Sequence, residues 1–136
     1  MSKKYVTKAI ILQGKNYGEA DRIVTAFTKE KGRVDFIARG VRKIKSKNRV
    51  LIQPFTYSDI EFVEGKGLDI LTQGILIESF INIHKDFNKI IYCNYMAEYL
   101  IQVLPVKDVN IALCYQFLLT LNHLDKKETN AKLIAF

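Results

Sequence analysis

The sequence holds 136 residues, 49% hydrophobic and 26% charged, a balance that excludes a disordered chain and allows one small domain plus part of another. Twenty-one Lys and Arg against fourteen Asp and Glu leave a formal net charge of +7, which selects polyanionic partners, nucleic acid first and acidic membrane surfaces second. The apolar run Ala9–Leu12 is too short for a signal peptide, and Val109–Leu124 is too interrupted by polar residues to span a membrane, so a cytoplasmic protein is expected.

In chain order, Tyr5–Gln13 is rich in strand formers, and Gly14-Lys15-Asn16-Tyr17-Gly18 is expected to break it. Arg22–Thr28 is ambiguous alone, since Ile23, Ala26 and Phe27 also suit a helix face. Lys29-Glu30-Lys31-Gly32 then reads as a hairpin turn, and Arg33–Ala38 alternates, with Val34, Phe36 and Ala38 opposite Arg33, Asp35 and Ile37. Tyr57–Val63 alternates in the same way, and Glu64-Gly65-Lys66-Gly67 turns it into a strand over Leu68–Leu76. Five short strands with glycine turns predict a small closed barrel.

Beyond Phe80 the period changes to that of helices. Asp86 is expected to cap a helix carrying Ile90, Cys93, Ala97, Leu100, Ile101 and Leu104, stopped by Pro105. A second helix is expected from near Asp108, a loop at Asp125–Glu128, and a third helix from Thr129 or Asn130 that runs apolar to Phe136 without a cap. That ending predicts a truncated helical domain. The fold class expected is therefore α+β: a five-stranded oligonucleotide-binding (OB) barrel over residues 1–80, followed by an incomplete α-helical domain over 81–136.

Charge divides the chain at the same place. Up to Phe80 there are fifteen basic and nine acidic residues, a net of +6; from Ile81 onward there are six and five, a net of +1. Lys29–Arg49 holds nine cations and two acids, among them Lys31, Arg33, Arg39, Arg42, Lys43, Lys45, Lys47 and Arg49. A polar run of this kind reaches a phosphate backbone and gains free energy by releasing condensed counterions; a solvated loop that only aids solubility is the alternative. OB surfaces also stack bases on aromatic rings. Phe27 and Phe36 are expected in the core, leaving Tyr17 and Tyr57 as stacking residues. Tyr92, Tyr95 and Tyr99, at helical spacing, are expected in the core or at a domain interface.

Catalytic chemistry finds little footing. His84 and His123 lie in different elements without a partner for a triad or a metal site, and exposed helix surfaces are expected for both. Cys93 and Cys114 lack zinc-ligand spacing and are expected as buried, inert thiols. Glu19, Asp21 and Glu30 are expected to pair with Arg22 or Lys31 on the surface. No enzyme, cofactor or metal is expected.

Several stretches then become familiar: Thr7-Lys8-Ala9-Ile10-Ile11-Leu12, Tyr17-Gly18-Glu19-Ala20-Asp21-Arg22-Ile23-Val24, Phe27–Gly32, Ala38-Arg39-Gly40-Val41-Arg42-Lys43, Gln53-Pro54-Phe55 and Glu78-Ser79-Phe80. In this order they resemble the RecO family of bacterial recombination mediators over essentially the whole chain. The resemblance implies an N-terminal OB barrel binding single- and double-stranded DNA, annealing of complementary strands, contact with single-stranded-DNA-binding protein, and cooperation with RecR in loading RecA at the nucleoid. It places Arg22, Arg39, Arg42 and Lys43 on the family's basic motif positions; Lys45, Lys47 and Arg49 follow from charge alone. Two departures stand out. The zinc-binding cysteine cluster of many members is absent, and Asn48-Arg49-Val50-Leu51 replaces the family's glycine-rich turn. The competing readings are an OB module docking an acidic peptide tail and an RNA-binding OB protein of translation.

Overall fold

Alternation in the first eighty residues produces strands because one face of each is enclosed. The computed structural model describes residues 3–127. It contains β1 (Lys4–Tyr17), β2 (Asp21–Thr28), β3 (Gly32–Ala38), a 3-10 turn (Arg49–Ile52), β4 (Tyr57–Val63) and β5 (Asp69–Glu78). The strands close into a barrel in the order β1-β2-β3-β5-β4, antiparallel except where β3 meets β5 through Phe36–Asp69 and Ile37–Ile70. Together with the helices that follow, this is the expected α+β architecture, a five-stranded OB barrel and part of a helical domain.

Val34, Phe36 and Ala38 point into the barrel, as do Ile60 and Phe62, while their alternates are half-buried outside. Ala9–Leu12 reads as an unbroken apolar run because β1 is enclosed on both faces. Ala9 and Ile11 face the barrel interior, whereas Ile10 and Leu12 face a second core shared with the helices. Phe27 and Phe36 are fully buried, as expected.

β1 is longer than its sequence predicts. Gly14–Tyr17 stays paired with Asp21–Val24, past an irregularity between Ile11 and Gln13 that bends the strand for closure. Gly14 serves here as a strand residue with little room beside it, since a Cβ there would lie 3.1 Å from Nη2 of Arg22.

Three helices follow: α1 (Ile81–His84), α2 (Phe87–Val103) and α3 (Ile111–Lys126). Asp86 caps α2 as expected, its Oδ1 accepting from the backbone N–H of Asn88 at 3.0 Å and of Lys89 at 3.3 Å. α3 starts later than expected, because Asn110 rather than Asp108 supplies the cap by accepting from Leu113 N–H at 3.0 Å. Asp125 is not in a loop: it lies in the last turn of α3, where its carboxylate accepts from Asn82 and Ile83 N–H and so holds the start of α1. The helix expected from Thr129 or Asn130 lies outside the described residues. Cys93 and Cys114 are buried free thiols; burial pushes Cys93 up to about 12 and Cys114, which Lys29 partly opposes, up to about 11, keeping both as poor nucleophiles.

Of the tyrosine stripe, Tyr92 packs partly on the core, but Tyr95 and Tyr99 stand 70% and 65% exposed beside a groove between α2 and α3. Their spacing matches a helix face that the described residues do not cover. No helix among the described residues is long and apolar enough to cross a membrane.

The barrel and helices are tied by polar contacts as well as by the shared core. Arg33 donates from Nη1 to the carbonyls of Ile101 at 2.7 Å and Leu104 at 3.4 Å, satisfying the negative end of α2. In the connector after α2, Lys107 N–H donates to Arg33 O at 2.8 Å, and the Lys107 ammonium pairs with Asp69. Asp69 is only 4% exposed and also accepts from Tyr5 Oη. Burial raises its carboxyl, but Lys107, Tyr5 and the Gly65 N–H outweigh burial and hold it below the ordinary carboxylate value.

Lys107→Met is therefore expected to destabilise the fold by about 2 kcal/mol, less than the loss of a fully buried pair because the lysine side chain is 41% exposed. A group with a lowered folded pKa stabilises above its unfolded value, near 4, and stops doing so as pH falls through the folded value. Urea unfolding at pH 7 and pH 3 should accordingly show the difference between wild type and Lys107→Met shrinking at the lower pH.

Candidate nucleic-acid interface

The basic segment between β3 and β4 is a series of turns pinned at several points. Val41 is 1% exposed and anchors the segment to the barrel interior, joined there by Leu51 and Ile52 from the 3-10 turn. Gly40, at φ +65°, turns the chain out of β3, and its N–H donates to Asp21 Oδ1 at 2.7 Å. Arg42 N–H donates to Ala20 O at 2.9 Å, and its guanidinium donates to Gly18 O at 3.0 Å, tying the segment to the β1–β2 loop. Arg49 folds back to donate to the carbonyls of Arg42 at 3.1 Å and Lys43 at 2.8 Å. Asn48 fastens the far end to Thr72 O at 3.1 Å.

This network divides the cations by role. Arg42 and Arg49 hold backbone carbonyls and shape the segment. Arg39, Lys43, Lys45 and Lys47 are exposed, with no recorded side-chain hydrogen bond or ion pair among the described residues. Arg22 is half-buried and donates to Asn16 Oδ1 at 2.5 Å. Arg22, Arg42 and Arg49 line a cavity of about 300 Å³ together with Val41, Ile52, Gln53 and Pro54. Tyr17 stands 53% exposed, next in the chain to Gly18, whose carbonyl Arg42 grips.

The remaining site residues lie elsewhere. Arg33 is occupied by Asp35 at 3.2 Å and by the end of α2. Lys31 sits over the ring of Tyr5, 5.2 Å from its centroid, beside Lys107 and Asp69. Tyr57 is half-buried against the shared core, in a cleft with Lys8, Lys29 and Tyr115. Arg22, Arg42 and Arg49 are therefore brought to one cavity, and Arg39, Lys43, Lys45 and Lys47 lie exposed on the same segment as Arg42 and Arg49, while Lys31, Arg33 and Tyr57 lie elsewhere.

Sequence reasoning missed the residues that position this surface. Asp21, expected to pair with Arg22 or Lys31, instead holds Gly40. Asn16 and Asn48 hold Arg22 and the segment's far end. Their one signal in the sequence is residue type, since short amides and carboxylates beside loops are habitual backbone binders. His84 is exposed, as expected, with its ring nitrogens 3.0 Å from Phe80 O and 2.6 Å from Pro54 O, bridging the 3-10 turn's exit to α1.

The family profile described as recombination protein O, N terminal, matches residues 1–80, the whole barrel. The chain belongs to the RecO family. Among its relatives, the DNA repair protein RecO of Syntrophomonas wolfei subsp. wolfei is 34% identical over 131 residues, 96% of this chain and 52% of that protein. DNA repair protein RecO of Heliobacterium modesticaldum is 40% identical over 101 residues, 74% of this chain and 37% of that protein. That of Thermodesulfovibrio yellowstonii is 39% identical over 125 residues, covering 90% and 50%. The chain thus spans about half the length, or less, of the curated RecO proteins it matches. Two of the stretches that carry the RecO resemblance, Tyr17–Val24 and Ala38–Lys43, are the ones tied together by the Asp21–Gly40 and Arg42–Gly18 hydrogen bonds.

Proposed function

We propose that this RecO-family chain is a DNA-holding module of recombinational repair, binding single and double strands without chemically changing them. The observation that carries the reading is the run of exposed cations Arg39, Lys43, Lys45 and Lys47, unpaired among the described residues, on a segment whose backbone is held by Arg42, Arg49, Asp21 and Asn48. A phosphate backbone laid along such a row releases counterions, and little ordering entropy remains to oppose it because the segment is already fixed.

Annealing of complementary strands follows from the same physics. Neutralised phosphates no longer repel, and contacts confined to the backbone leave base edges free to pair. In the RecO setting the module would act with RecR and single-stranded-DNA-binding protein in loading RecA, in the cytoplasm at the nucleoid. The relatives, which are DNA repair proteins, support the repair role.

A salt titration of binding to a labelled single strand and its duplex tests the reading. If four cations each meet a phosphate, the logarithm of the duplex affinity should fall against the logarithm of salt with a slope of about −3 to −4, and less steeply for the single strand. Absence of binding at low salt, or binding indifferent to salt, removes the proposal.

A further inference from the structure

The cleft that holds Tyr57 is separate from the arginine surface and differs from it chemically. On the outer face of β1 and β4, Lys8 pairs across the strands with Asp59, and Ile10 with Tyr57. α3 crosses this face and presents Ile111, Tyr115 and Leu118 at one-turn spacing, enclosing about 550 Å³ between helix and barrel. Lys29 N–H donates to Lys8 O at 2.9 Å, which brings both lysines to the mouth. Eight residues of extended β1 separate Lys8 from Asn16 at the arginine surface, roughly 25 Å at ~3.3 Å per residue.

One of the two lysines lining this mouth is already paired. The Lys8 ammonium is held by Asp59 at 2.9 Å, and Glu30 follows Lys29 in the same turn. The lining thus offers one ammonium unpaired among the described residues rather than a cluster of cations able to grip a phosphate. Inside are apolar walls and the rings of Tyr57 and Tyr115, the latter 53% exposed. At the rim, Lys29 offers an ammonium that no carboxylate engages among the described residues. A flat, neutral, π-bearing ligand with carbonyl acceptors at its edge matches each of these features: its faces lie against tyrosine and aliphatic carbon, and its oxygen meets Lys29.

We propose that this cleft receives one unstacked nucleobase of a single DNA strand, Tyr115 stacking on its face and Lys29 donating to a base carbonyl. The inference rests on the DNA-holding reading above and adds to it a site for bases, available only when they are unpaired. The arginine surface grips any backbone in proportion to its charge, whereas the cleft gives the single strand an advantage that salt leaves nearly untouched.

The test uses the whole chain with a labelled oligothymidylate and a duplex of equal length, across a salt series. Tyr115→Ala should weaken oligothymidylate binding about five- to tenfold, as expected for loss of one stacked base, with duplex binding changed less than twofold and the salt slope unaltered. Tyr115→Phe should restore the affinity, because the ring face is kept. Lys29→Ala should weaken thymine-strand binding more than binding to an abasic strand of equal length. Equal oligothymidylate binding by Tyr115→Ala and wild type, or parallel loss for both DNA forms, overturns the cleft while leaving the arginine surface standing. If wild type binds neither DNA form, both readings fall.

Discussion

Exchanging Arg39, Lys43 and Lys47 together for glutamate is expected to lower affinity for a DNA duplex by about two orders of magnitude near ~0.1 M salt. None of these three side chains makes a recorded hydrogen bond or ion pair among the described residues, so the exchange removes charge without removing a support of the fold. Each lost phosphate contact should flatten the salt slope by about 0.9 for duplex and 0.7 for single strand, so the triple variant should lose most of its salt dependence. The melting temperature should stay close to that of wild type. Arg49→Ala offers the contrast. It deletes one charge but also frees the carbonyls of Arg42 and Lys43, so its cost should exceed that of Lys43→Ala measured in the same assay. A triple variant that binds as wild type does would show that the polynucleotide lies elsewhere on the barrel.

Gly32→Ala should cost about 3 kcal/mol of stability or more, read as a lowered urea midpoint at unchanged m-value. Gly32 turns β2 into β3 at φ +70°, where any Cβ is strained by about 1–2 kcal/mol. A Cβ there would also lie 2.1 Å from Asp108 O, so the connector after α2 would have to move. That connector carries Lys107, whose N–H binds Arg33 O and whose ammonium binds Asp69, and Arg33 itself caps α2. One methyl group therefore works against a whole junction. Because this junction is at the opposite end of β3 from Arg39, the salt slope of DNA binding by the folded variant should match wild type. A loss below 1 kcal/mol would mean that the barrel and connector do not meet this closely.

Much of the barrel was legible in the sequence because its determinants are local. The two-residue period of Val34–Ala38 and Ile60–Phe62 exists because one face of each strand is enclosed, and Asp86 announces α2 because a cap and the N–H groups it accepts from are neighbours in the chain. The basic segment was legible for the same reason, as charge density is a property of a short run. Gly14 misled, since a glycine that ends a strand and one that makes room for Arg22 within a strand look alike until Arg22 is placed. Asp108 misled as well, being a plausible helix cap whose backbone is instead packed against Gly32.

By itself, then, the chain's order of residues determined the strands, the barrel class, the positive surplus and the family. Which cations remain free was decided only by tertiary structure. Arg33 and Lys43 are indistinguishable as charges on paper, yet Arg33 is drawn to carbonyls 68 and 71 positions away, while Lys43 pairs with no acid among the described residues. Lys107 is likewise committed to Asp69, 38 positions distant. Tyr57 was separated from Tyr17 by the pairing of β4 with β1, which set it under α3. The physical reason is range: periodicity and composition are written over a few residues, but whether a charged or aromatic group is satisfied depends on what long-range strand closure and helix docking bring within about 4 Å of it.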